Sequence, residues 1–75
     1  MSSDDISEAF FKHLKIVALS NFLNDLNNII NKLWKVRFRI TKSQEPHLMQ
    51  YVKDLDEVIK KMQDLRNKIL KELKS

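Results

Sequence analysis

The strongest chemical signal in the chain lies between Lys32 and Lys42. This stretch holds five positive charges, on Lys32, Lys35, Arg37, Arg39 and Lys42, and no acid, with Trp34 and Phe38 set among them. Cations at this density can neutralise phosphates, and rings beside cations can stack on unpaired bases. The chemistry suggested is contact with a nucleic-acid backbone. If the segment is helical, Lys32, Lys35, Arg39 and Lys42 share one face over about 15 Å, enough to meet several phosphates. The competing reading is a solvated face whose Lys and Arg stems cover apolar surface and whose charge suits a helix C-terminus.

The remaining reactive residue types form no constellation. Asp54 and Glu57 fall on one helical face and could imitate an acid–base pair, but Lys53, Lys60 and Lys61 stand within helical reach. That pattern reads as a solvated salt ladder. His13 and His47 are far apart in sequence, and a zinc site built on two histidines needs carboxylates as well. Ser20 lacks the neighbouring glycines of a nucleophile elbow. The chain has no cysteine, which removes disulfides, zinc–thiolate sites and thiol nucleophiles. It has no glycine either, so Walker-type phosphate loops and dinucleotide fingerprints are absent. The expectation is a protein that is not an enzyme and takes no cofactor.

The elements that must position the basic residues follow from composition and spacing. Seventy-five residues make one small domain. All-β architectures need many tight turns, which want Gly, Asn or Pro, and Pro46 is the only proline. The chain therefore reads as all-α. Between Trp34 and Ile40 apolar and polar residues alternate as in a strand. A longer pattern overrides this: Leu19, Phe22, Leu26, Ile29, Leu33, Val36 and Ile40 step by threes and fours, with Leu23 and Ile30 broadening the stripe. Residues 33–42 therefore read as the end of a helix.

A second stripe runs through Leu48, Tyr51, Leu55, Val58, Met62, Leu65 and Ile69, widened by Val52, Ile59, Leu70 and Leu73. It is wider than a strict coiled-coil seam and suits a helix with two neighbours. Asp56 with Lys60, Glu57 with Lys61, and Asp64 with Lys68 offer supporting i,i+4 pairs. Ser43 or Glu45 can cap this helix, and Pro46 suits its first turn. The turn at 43–46 is short, so the two helices should lie antiparallel.

The N-terminal segment is out of phase. Ile6, Phe10, Leu14 and Val17 follow a plausible cap at Ser3, with Asp4 and Asp5 in the first turn. Their stripe would sit roughly 130° from the later one on a continuous helix. A break near residues 18–21 gives helices at about 4–19, 20–42 and 46–74 and a three-helix bundle. Without a break the chain is a long hairpin that must oligomerise to cover its N-terminal arm. Small helical hairpins that dimerise into four-helix bundles share this layout, which is an architecture and not a function.

Charge is uneven. The net +4 arises from −2 over residues 1–31, +5 over 32–43 and +1 over 44–75. No apolar run reaches the ~20 residues needed to span a bilayer, and the acidic start is unlike a signal peptide. A cytoplasmic or nuclear protein is expected, not a secreted one. The segment from Phe10 to Leu23 is apolar on more than one side, and such helices are usually buried. Exposed aromatic pairs mark interfaces. The sequence therefore points to a protein-interaction module, either a homo-oligomer or an accessory subunit of a larger assembly. Its expected contacts are Phe10, Phe11, Leu14, Val17, Trp34 and Phe38. Nucleic-acid binding through the basic residues is the alternative.

Overall fold

The computed structural model describes the backbone of residues 3–75 and the side chains of residues 6–75. It is all-helical, with α1 at Ser3–Ser43 and α2 at Pro46–Lys74. Residues 33–42 are helical, as the longer periodicity indicates, and α2 has the expected bounds. The separate N-terminal helix is not found. α1 runs unbroken through residues 18–21, where no glycine or proline interrupts its hydrogen-bond ladder. The expected cap at Ser3 and the roles of Asp4 and Asp5 lie outside the described side chains.

The turn is tight. Gln44 takes a left-handed conformation, with φ of 55°. Glu45 is extended at the N-cap position and makes no capping bond through its side chain. Its carbonyl accepts instead from the N–H groups of Leu48 and Met49, at 3.0 and 3.2 Å. Pro46 occupies the first turn, where its missing N–H costs nothing. Ser43 closes α1 by donating its hydroxyl to the Ile40 carbonyl at 2.7 Å.

The two helices pack antiparallel along a seam with a heptad repeat. On α1 the less exposed residues include Leu19, Leu23, Leu26, Ile30, Leu33, Arg37 and Ile40. On α2 they include Leu48, Val52, Leu55, Ile59, Met62, Arg66, Ile69 and Leu73. This differs from the apolar stripes read in the sequence. The seam takes Leu23, Ile30 and Arg37 where the stripe has Phe22, Ile29 and Val36. It takes Val52, Ile59 and Arg66 where the stripe has Tyr51, Val58 and Leu65. Each helix carries apolar residues in three adjacent heptad columns, and one neighbour covers only two. The chosen pair of columns puts Ile30 and Ile59 at the centre, 3% and 2% exposed. The arginine stems lie along the seam and their heads reach its margin.

The hairpin is long and thin, 66 × 15 × 13 Å, with a radius of gyration of 18.6 Å against roughly 11 Å for a compact chain of this length. It exposes 6292 Å², about 1,400 Å² more than a compact monomer of 9.0 kDa. Ile30 and Ile59 are the buried apolar residues among those described.

Candidate functional site

The seam leaves two edges, one on each side, and they differ in chemistry. On the first edge Arg37 donates from Nε to Asp56 Oδ1 at 2.6 Å, and Arg66 donates from Nη1 to Asn27 Oδ1 at 3.4 Å. Gln63, partly covered, belongs to this edge by its heptad position. Asp56, expected to pair with Lys60 on its own helix, thus bonds across the seam. On the second edge Lys15 Nζ meets Glu72 Oε1 at 3.0 Å. Seven-residue steps from that pair give three further rungs: Phe22 with Leu65, Ile29 with Val58, and Val36 with Tyr51. All six of these side chains are exposed. They form one apolar row about 21 Å long.

Beyond α2, α1 continues alone. Lys12 lies beside Ser75, so residues 3–11 run past the last turn of α2. Ile6, Phe10, Phe11, Leu14 and Val17 are exposed here, with the Phe10 and Phe11 rings edge-to-face at 6.1 Å. Four of the expected contact residues, Phe10, Phe11, Leu14 and Val17, therefore cluster at one end of α1. Trp34 and Phe38 lie toward the other end. Because α1 does not fold back, the N-terminal segment does not cover them, and both are exposed.

Around Trp34 and Phe38 the basic residues gather as their spacing suggests. Trp34, Lys35, Arg37, Phe38, Arg39 and Lys42 line an open groove of about 600 Å³. The Arg37 guanidinium stands 5.6 Å from the Trp34 ring centre and Lys42 Nζ stands 5.9 Å from that of Phe38. Such pairs hold ring and cation together at a solvated surface. Lys32 is exposed one turn away but does not line the groove. Arg37 differs from the other cations, because its head is engaged by Asp56 and its side chain is about two-thirds covered.

Comparison with protein-family models, with curated proteins and with solved structures returned no match. The surfaces of the hairpin therefore carry the functional reading by themselves.

The other chemical candidates remain scattered. Asp54, Glu57, Lys53, Lys60 and Lys61 are all exposed on α2. His47 sits at the turn, with Nδ1 3.6 Å from Glu45 Oε2, while His13 is at the opposite end of the hairpin. Among the described residues there is no cluster of three or more His, Asp or Glu that could hold a metal. Among the same residues no helix is long and apolar enough to cross a membrane.

The sequence reading missed the row formed by Phe22, Ile29, Val36, Tyr51, Val58 and Leu65 as an exposed surface, because it assigned these residues to the core. A signal was present. Columns of apolar residues on three sides of a heptad exceed what a single neighbour covers.

Proposed function

We propose that this chain is a non-enzymatic interaction module, self-associating or a subunit of a larger assembly, that works by covering its apolar surface with protein. The observation behind this reading is the arrangement of the exposed apolar residues. Isolated exposed apolar side chains are ordinary on protein surfaces. Here they form rows at helical spacing along one edge of the hairpin and along the N-terminal arm, and contiguous patches of this kind mark interaction sites. Phe10, Phe11, Leu14 and Val17 on the arm, with Trp34 and Phe38 on the outer face, offer ring-rich contacts of the type that dominate interfaces.

The test combines light scattering with amide hydrogen exchange from about 10 μM to 1 mM, concentrations that bracket ordinary self-association. A mass above 9.0 kDa, with exchange at residues 6–17 slowing as mass rises, is the expected result. A strict monomer with those amides fully protected at every concentration would overturn the reading, because the bare surface would then be stable without a partner.

The groove supports a second reading, contact with nucleic-acid phosphates. Lys35, Arg39 and Lys42 would meet the backbone, and Trp34 and Phe38 would take unpaired bases. Labelled DNA and RNA in a salt series test it. Phosphate contact predicts affinity that falls steeply with salt, and a shallower slope after Lys35→Ala and Arg39→Ala. Absence of binding at about 50 mM salt contradicts it.

A further inference from the structure

The apolar edge is built to be self-complementary. Its middle rung, Ile29 with Val58, lies at the centre of the paired region, which runs on α1 from Lys15 to Ser43. The outer rungs each pair one ring with one aliphatic side chain, on opposite helices: Phe22 with Leu65, and Val36 with Tyr51. A twofold axis through the middle rung sets each outer rung against the other. Every ring then meets a branched aliphatic side chain and no two rings compete for the same space.

We propose that a second copy of this chain docks on this edge, the two hairpins antiparallel with their turns at opposite ends, closing a four-helix bundle. The inference rests on the interaction reading above and names the partner and the surface. Area favours it. A standard interface removes about 800 Å² from each partner, and the whole chain, its arm included, exposes about 1,400 Å² more than a compact monomer, so a contact of that size on this edge would remove over half of the excess. Charge sets the direction. Parallel hairpins would gather two +5 segments at the same end of the bundle. The antiparallel arrangement separates them and lays residues 32–43 of one copy beside residues 15–26 of the other, where Lys15 and Asp25 balance to zero. Adjacent helices are antiparallel in either arrangement, which suits their dipoles, so charge and not the dipoles sets the direction. The arm and the Trp34–Phe38 face stay outside this contact, free for a different partner.

The native chain should sediment at twice 9.0 kDa. The double variant Ile29→Glu/Val58→Glu should be monomeric, with the association weakened by roughly 100-fold or more, since it sets charges into an apolar contact. Both positions are exposed in the hairpin, so the seam is untouched. Concentration-dependent melting of the native chain gives a readout that does not depend on how the variant folds.

The chain lacks cysteine, so Lys42→Cys takes a single spin label, and the antiparallel arrangement predicts a label separation of about 40 Å between copies. A separation under about 20 Å would contradict that arrangement. A native mass of 9.0 kDa at the highest concentration would overturn the dimer. Association that survives Ile29→Glu/Val58→Glu but is lost with Phe10→Glu would overturn this surface and leave the interaction reading standing.

Discussion

The two edges of the hairpin flank the same seam, yet one is bridged by polar contacts between its apolar residues and the other is an unbridged apolar row. One edge pairs Arg37 with Asp56 and Arg66 with Asn27, contacts that water can share. The other, beyond the Lys15–Glu72 pair, presents Phe22, Ile29, Val36, Tyr51, Val58 and Leu65 to solvent. A two-helix hairpin needs one apolar seam and two wettable edges. This chain supplies one mixed edge, where Trp34, Met49 and Leu70 alternate with the polar bridges, and a second edge that is apolar from Phe22 to Val36 on α1 and from Tyr51 to Leu65 on α2. The difference separates what holds the hairpin together from what prepares it for a partner.

Substitutions should sort along that division. The largest effect belongs to the seam. Ile59→Asp should abolish the hairpin, and Ile59→Ala should cost about 2–4 kcal/mol, because Ile59 and Ile30 are the buried residues among those described. Urea melts followed by circular dichroism measure both. Retention of the native midpoint by Ile59→Ala would place the core elsewhere.

Next comes the apolar edge. Ile29→Glu/Val58→Glu should leave the hairpin's seam intact while removing the dependence of melting on protein concentration. A variant that kept this dependence would erase the proposed contrast between the edges.

The polar edge should respond weakly. Asp56→Ala removes the partner of Arg37, but both side chains are partly solvated. The loss should be under about 1 kcal/mol and should shrink with added salt. A loss as large as that at the seam would show that the bridge is structural. The smallest change is at the turn, where Gln44 bears a left-handed conformation that glycine adopts without penalty. Gln44→Gly should stabilise the hairpin by about 0.5–1 kcal/mol, read as a higher melting temperature.

Much of this fold was legible in the sequence. The absence of glycine, the periodicity from Leu48 to Leu73 and the place of Pro46 led directly to an all-α chain with a turn at 43–46. The continuity of α1 through 18–21 was not legible, because a phase change in the apolar pattern suggests a break but does not by itself interrupt a helix. What α1 changes there is the side it presents, not its backbone.

The seam was misplaced by one column for a related reason. Counting apolar residues favours Val36 over Arg37 and Leu65 over Arg66. The count overlooks the fact that an arginine stem packs as an apolar group when its head can reach a partner. Asp56 and Asn27 supply those partners from across the seam, a contact no single-helix pattern displays. The basic groove was legible as a cluster, but the engagement of Arg37 by Asp56 was not. The exposed aromatics were recognised at Trp34 and Phe38 and overlooked at Phe22 and Tyr51, which had been assigned inward.

Hydroxyl-radical footprinting of the native chain tests the central claim most directly, with each residue's rate normalised to the unfolded chain. In a lone hairpin Phe22, Tyr51 and Phe38 are 56%, 50% and 63% exposed, so their protections should be nearly equal. If a second copy covers the apolar edge, Phe22 and Tyr51 should react several-fold more slowly than Phe38. Equal rates at all three residues, at a concentration where the chain is associated, would contradict the account.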